Sequence, residues 1–251
     1  MTLKTPNLQG RGDICVYVPE TEIPLADLPI YILLHGVYGS AWAWAFKAGA
    51  HLTADRLIQA RQIKPAIVAM PSDGLWGDGS GYFGHHDKQF DEWIVSDVPN
   101  AIIESFAEAS AASPICIGGL SMGGYGALSL GSRFAERFHA ISGHSSITQL
   151  AQMEQFVEEP LAAYTDECRW PDVIQTLRAN RDLLPPLRFD CGLADSLLAP
   201  NRELHAQLIA DGISHQYEEY SGGHEWSYWE KHVEKSFRFF DQAINNNENF
   251  T

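Results

Sequence analysis

The sequence predicts an α/β protein with a mostly parallel, doubly wound central sheet and helices on both faces. Three observations predict it. Short β-rich runs alternate with longer helical patterns along the chain, and strands separated by helices pair in parallel through crossovers. The run "PIYILLH" at 29–35 is apolar enough to be buried on both faces, which is how a strand inside a parallel sheet reads. Neither an internal repeat nor a linker rich in Pro, Gly or Ser divides the 251 residues, so residues 1–251 are expected to form one domain.

The elements follow in order. Strands are expected at 13–19, 29–35, 64–70, 114–120, 138–143, 187–192 and 215–221, and helices at 51–61, 88–110, 122–135, 171–180, 200–211 and 226–243. The helix at 200–211 is introduced by Pro200 and Asn201 and stopped by Gly212, the start and stop chemistry a helix wants. Segment 144–184 is the least regular and reads as an insertion over one end of the sheet. The tail "INNNENFT" is polar and expected to fray.

Composition narrows the function. An apolar fraction of 45% with 7 Trp, 9 Tyr and 12 Phe supplies a large core. A formal charge of −15 repels phosphate backbones and anionic lipid, which argues against nucleic-acid and membrane partners. The four cysteines, Cys15, Cys116, Cys168 and Cys191, form no C-x-x-C pair, and zinc or a disulfide framework is poorly supported. The first 13 residues lack an apolar h-region and no run approaches the length of a membrane span, so a cytoplasmic location is expected. Oligomeric state is left open, a homo-oligomer included.

The run "ICIGGLSMGGYGAL" (115–128) places Ser121 among Gly118, Gly119, Gly123, Gly124 and Gly126, at the end of a buried strand and before a helix. Gly119-Leu120-Ser121-Met122-Gly123 matches G-x-S-x-G, the nucleophile elbow. Such a turn holds its serine in strained backbone geometry with chain passing on both sides, so side chains two positions either way would clash. The alternative is a plain Gly-rich turn. A phosphate cradle fails for want of a G-K-[ST] ending and of a nearby lysine.

Partners of the right type follow in the right chain order. Asp195 lies in the loop after strand 187–192, and His224 lies in "GGHEW" after strand 215–221. Each sits beyond the C-terminal end of a strand, where ligands of open parallel sheets collect. Asp190 rivals Asp195 but falls within its strand. His215, which would begin a strand, His205 and His232, which read as helix-face residues, and His139 and His144, which flank a strand, rival His224. In this arrangement His224 takes the Ser121 proton during attack on an ester or thioester carbonyl, and Asp195 orients the imidazole. An oxyanion would be held by the backbone N–H groups of Met122 and of Val37, the latter following the tight turn allowed by Gly36 in "LLHGVYGS".

Together "LLHGVYGS", "GLSMGGYGAL", "CGLADSLL" and "YSGGHEWSYW" resemble the successive site segments of the esterase-D-like group of the α/β-hydrolase superfamily. That group contains S-formylglutathione hydrolases, tributyrin and acetyl esterases, feruloyl-type esterases and mycolyltransferase relatives. The resemblance implies the α/β-hydrolase fold, the triad Ser121, Asp195 and His224, and the oxyanion donors Val37 and Met122. Two departures bear on substrate. S-formylglutathione hydrolases usually show an S-G-L-T-C type segment where this chain has "HGVYGS", and tend to have His where Tyr125 stands. Both lower the glutathione-thioester reading and raise the small-ester one.

The stretch "SDGLWGDGSGYFGHHDKQFDEW" (72–93) fails as a dinucleotide fingerprint, because Tyr82 falls where the third glycine belongs. Asp73, Asp78, His85, His86 and Asp87 lack metal-ligand spacing, and no metal is expected. The stretch reads instead as a long loop leaning over the site. Trp76, Tyr82 and Phe83 would then wall a substrate pocket with Trp42, Trp44 and Trp226, or each would simply pack core and loop. The expectation is a serine carboxylesterase for small or aromatic acyl esters, needing no cofactor and taking a small-molecule ester. A thioesterase or acyltransferase is the alternative within the class, and a non-catalytic binding module the alternative outside it.

Overall fold

A computed structural model describes residues 1–21, 25–162 and 172–248. Eight strands form one sheet: β1 (Thr2–Thr5), β2 (Gly10–Tyr17), β3 (Ile30–Leu34), β4 (Ile67–Pro71), β5 (Ile115–Leu120), β6 (Ala140–His144), β7 (Leu187–Gly192) and β8 (Gln216–Tyr220), in the order β1-β2-β4-β3-β5-β6-β7-β8. β1 and β2 pair antiparallel with each other, and β2 pairs antiparallel with β4; every other pairing is parallel. The fold is that of an α/β-hydrolase, with helices on both faces of the sheet.

Central β3 is buried along its whole length, and its side chains alternate between two cores. Ile30, Ile32 and Leu34 join one core with α3 (Phe90–Glu92), α4 (Val98–Ser105), α5 (Met122–Arg133), α6 (Val173–Ala179) and α7 (Leu198–Ala210). Tyr31 and Leu33 join the other with α1 (Ala43–Lys47), α2 (Ala50–Gln59) and α8 (Trp226–Glu248). The buried stripe of α8, Trp229, Val233, Phe237, Phe240 and Ile244, recurs every three to four residues and covers the sheet as an amphipathic helix must. After β3 the chain moves outward to β4 and then returns to add β5 on β3's other side. The strand order therefore reverses at the carboxyl ends of β3 and β5, which opens a crevice there.

Several boundaries differ from expectation for identifiable reasons. β1 is an eighth strand with a single buried residue, Thr5, so it carries no apolar alternation to read. The five-residue α1 is too short to show a period. The helix expected at 88–110 is broken by a π-turn at Trp93–Asp97 before Pro99. Proline lacks an N–H and its ring crowds the carbonyl four residues earlier; that carbonyl, on Val95, accepts instead from Arg137 Nη1 at 3.3 Å. α8 continues to Glu248, through most of the tail expected to fray; residues 249–251 lie outside the described residues.

Candidate active site

Ser121 sits between β5 and α5 at φ 55°, ψ −118°, a backbone region that costs an L-residue about 1–3 kcal/mol. Close packing enforces it. A Cβ on Gly119 would strike the Gly123 carbonyl, and a Cβ on Gly123 would strike the carbonyls of Leu34 and His35. The turn is also pinned by hydrogen bonds: Ser121 N–H donates to His144 O at 3.0 Å, and Ile147 N–H donates to Ser121 O at 3.1 Å.

The structure brings Ser121, His224 and Asp195 together from the carboxyl ends of β5, β8 and β7. The Ser121 hydroxyl lies 2.9 Å from His224 Nε2, and His224 Nδ1 lies 3.1 and 3.0 Å from the two Asp195 carboxylate oxygens. With Nδ1–H donating to Asp195, Nε2 is the acceptor that faces the serine. The Asp195 side chain is wholly buried while that of His224 is 21% exposed, so the imidazole borders the crevice with its acid behind it. Burial pushes the Asp195 carboxyl up; the hydrogen bond and charge of His224 and the Leu197 N–H at 2.8 Å outweigh it and hold the carboxyl below its ordinary value. The loops carrying Asp195 and His224 are joined by backbone bonds, Leu193 N–H to Tyr220 O and Ala194 N–H to Gly222 O, both at 2.8 Å.

The turn after β3 stands against the serine, since a Cβ on Gly36 would lie 3.3 Å from Ser121 Cβ. The Gly36 carbonyl is gripped twice, by His35 Nδ1–H at 2.7 Å and by Gly39 N–H at 3.2 Å. A trans peptide unit is planar, so fixing this carbonyl also fixes the Val37 N–H on its opposite edge. His35 Nε2 accepts from Asp73 N–H at 3.0 Å, which leaves the ring proton on Nδ1. Met122 opens α5, so its N–H has no intrahelical acceptor. Replacing His35 by alanine removes the shorter of the two holds on the Gly36–Val37 peptide. We expect kcat for an acetate ester to fall by about 10- to 100-fold with little change in KM, less than the loss of a whole oxyanion donor; steady-state kinetics check it.

Loop 72–87 does lean over this turn. Asp78 O accepts from Tyr38 N–H at 2.8 Å, and its carboxylate accepts from Glu158 N–H at 2.8 Å. A Cβ on Gly79 would strike Met122 Sδ and lie 3.5 Å from Val37 Cγ1. Asp73 caps the loop by accepting from Leu75 and Ser80 N–H at 3.0 and 2.6 Å, and His85 Nε2 lies 3.0 Å from Ser80 O. Asp73 and His85 thus serve the loop's own backbone, and among the described residues no group of three His, Cys, Asp or Glu is placed to hold a metal.

The pocket aromatics need correction. Trp44 is 1% exposed in the core and donates to Leu34 O at 2.9 Å. Tyr82 is likewise 1% exposed, donating to His35 O at 2.9 Å, with its ring where a Cβ on Gly126 would be. Both brace the end of β3 and the turn after it from behind. Trp76 packs on His85 and His86, Phe83 is buried beside His85, and Trp42 is exposed at the start of α1. Tyr82 and Phe83 line a cavity of about 500 Å³ with Asp91, Tyr125 and Arg133, which does not include Ser121 or His224. Trp226 packs edge-on against Trp229, whose ring is edge-on to His224 at 4.9 Å. Among the described residues a second ring on His224 is Phe156, stacked at 5.2 Å. Phe156 was not expected; it lies in the irregular segment, where no motif or period marks it.

The rival pair, Asp190 and His144, is fully buried and paired internally, with His144 Nδ1 2.9 Å from Asp190. It lies within the sheet rather than beyond its edge.

Known proteins resemble this chain in sequence and in fold. The model of the Esterase family, described as "Putative esterase", matches residues 5–240. An acetyl esterase of Caldicellulosiruptor saccharolyticus is 26% identical over 243 residues, covering 89% of this chain and 87% of that one. Among solved structures, a ferulic acid esterase superposes with a TM-score of 0.83 at 22% identity, covering 97% of both chains. An S-formylglutathione hydrolase from Staphylococcus aureus superposes at 0.81 and 17% identity, covering 96% of both. The chain belongs to the Esterase family, within the esterase-D-like group of α/β-hydrolases, and is a serine ester hydrolase.

Proposed function

We propose that the protein is a carboxylesterase for small or aromatic acyl esters, in which Ser121 is the nucleophile on an elbow between β5 and α5. The continuous chain from the Ser121 hydroxyl through His224 to Asp195, at 2.9 and 3.0 Å, carries this reading. His224 Nε2 takes the hydroxyl proton as Ser121 Oγ attacks the ester carbonyl carbon. Asp195 stays ionised and stabilises the imidazolium. The carbonyl oxygen becomes the oxyanion, held by the N–H groups of Val37 and Met122. Collapse expels the alcohol, protonated by His224, and leaves an acyl-serine. Water, deprotonated by His224, then attacks the acyl carbon and releases the acid.

The substrate class rests on the acetyl esterase relative and the ferulic acid esterase neighbour, together with the Phe156 and Trp229 rings packed on His224. We read residues 1–251 as one catalytic domain in which 144–184 is an insertion, since all eight strands join one sheet and Glu158 reaches Asp78. The partner is a small ester, with nucleic acid and anionic lipid disfavoured by the charge of −15. We place the protein in the cytoplasm: Cys15, Cys116 and Cys191 are free thiols, while Cys168 lies outside the described residues. No described helix is long and apolar enough to cross a membrane.

A panel of p-nitrophenyl and methyl esters and S-acyl thioesters, varied in acyl length, tests the substrate class. Acetyl to butyryl and cinnamoyl esters should give the highest kcat/KM. A preference for S-formyl thioesters by tenfold or more would overturn it, and no reaction with a fluorophosphonate would overturn the nucleophile.

A further inference from the structure

Beneath the catalytic residues lies a second set of polar groups that the chemistry does not use. Arg188, Asp190, Ser142, His144 and Ser236 are each at most 1% exposed, in a region where unpaired polar groups are costly. Their hydrogen bonds close into a ring. Arg188 Nη1–H donates to Ser142 Oγ at 3.1 Å. The Ser142 and Ser236 hydroxyls lie 2.6 Å apart, and Ser236 Oγ lies 2.6 Å from His144 Nε2. His144 Nδ1 meets Asp190 at 2.9 Å, and Arg188 Nη2–H returns to Asp190 Oδ2 at 2.6 Å. With the His144 proton on Nδ1, every hydroxyl proton around the ring has an acceptor, running from Arg188 through Ser142, Ser236 and His144 to Asp190. Such a closed chain admits one arrangement and resists small displacements of any member.

Ser121 is bonded directly to a member of this ring, and the loops of Asp195 and His224 are reached from it through Tyr228 and Gly222. The His144 carbonyl accepts the Ser121 N–H at 3.0 Å and so holds the serine turn to the end of β6. The Tyr228 hydroxyl donates to Asp190 Oδ1 at 2.7 Å. Its ring lies against Gly222, where a Cβ would come within 2.7 Å of Tyr228 Cδ2. Gly222, two residues before His224, in turn accepts through its carbonyl the N–H of Ala194, next to Asp195, at 2.8 Å. Tyr228 also lies in the first turn of α8, four residues after His224. Hydrophobic residues of similar volume could replace a buried charged cluster with little loss of stability, so fixed geometry is what the ring adds.

We propose that Tyr228 and Asp190 are positioning residues for the esterase reaction, holding the loops of Asp195 and His224 in register with the Ser121 turn through the ring. The role rests on the serine-esterase reading above. A misplacement of about 1 Å in an assembled site can cost about 100-fold in rate, and removing one hydroxyl contact should cost part of that.

The test is Tyr228→Phe, which keeps the ring shape and deletes only the hydroxyl. Kinetics with p-nitrophenyl acetate and the second-order rate of fluorophosphonate labelling are measured well below the variant's Tm. We expect kcat to fall by about 5- to 20-fold, KM to stay within about twofold, and labelling to slow in parallel with kcat. Ser236→Ala, which breaks the ring at a different point, should act in the same direction. Its effect combined with Tyr228→Phe should be less than the product of the two. Wild-type-like kcat and labelling in a folded Tyr228→Phe with a lowered Tm would show a purely structural contact and overturn the role. If Tyr228→Phe does not fold, Ser236→Ala decides by the same criteria. A wild-type protein that neither labels nor turns over would overturn the esterase reading, and this role with it; an active wild type matched by its variants overturns the role alone.

Discussion

Ser121→Ala lowers kcat for an activated acetate ester by about 10⁵- to 10⁶-fold, and His224→Ala lowers it about as much, because the two act as one unit. The combined variant should be scarcely slower than either alone, since whichever is lost, the other has nothing to act on. Asp195→Asn costs about 10⁴-fold: the amide no longer supplies the anion that stabilises the imidazolium and fixes the Nδ1–H tautomer. Residual rates should stay above that of water if, as proposed, the Val37 and Met122 N–H groups bind the oxyanion. Steady-state kinetics separate these outcomes, with titration by a fluorophosphonate counting active serines. Independent losses for Ser121 and His224 that multiply in the double variant would mean that the 2.9 Å contact between them is not used in the reaction.

What made this site legible was its position at strand ends. Ser121, Asp195 and His224 could be ordered from sequence because each follows an apolar or β-rich run. Asp190 could be set aside against Asp195 because an acid inside a strand points into the sheet. The structure gives that rival a physical place: it is the acceptor of Arg188, His144 and Tyr228. The ring around it could not be read in advance. Ser142 and Ser236 are 94 residues apart, and Tyr228 is 38 residues from Asp190. Each looks like an ordinary residue of a strand or helix. The same holds for Phe156, which reaches His224 from an irregular segment. His35 was visible only as part of the "HG" pair; its grip on the Gly36 carbonyl depends on a ring orientation fixed by Asp73. The aromatics were misplaced for the opposite reason. Trp44 and Tyr82 stand near the site in sequence, but their polar atoms are spent on the carbonyls of Leu34 and His35, so they brace the turn instead of facing the crevice.

Asp190→Ala should produce the largest loss of stability of any single change discussed, about 3–5 kcal/mol, by leaving the buried Arg188 guanidinium without its main counter-charge. Glu218, at 3.3 Å and 42% exposed, is too solvated to replace it. For a chain of this length the loss corresponds to a fall in Tm of about 6–20 °C. The same carboxyl makes stability depend on acid in a defined direction. Burial pushes Asp190 up, but His144, Arg188 and the Tyr228 hydroxyl outweigh it and hold the group well below the usual carboxylate range. A carboxyl whose folded value is depressed contributes stability that is present above its unfolded pKa of about 3.9 and is lost as pH falls below that toward the folded value. Urea unfolding of the wild type should therefore weaken progressively below about pH 4. Asp190→Asn, which keeps the side-chain volume without the titrating group, should be less stable at neutral pH and show a shallower acid slope. A variant that matches the wild type in both would mean that the Arg188–Asp190 pair at 2.6 Å contributes nothing to holding β6, β7 and the start of α8 together. The catalytic loops would then need another source of their alignment.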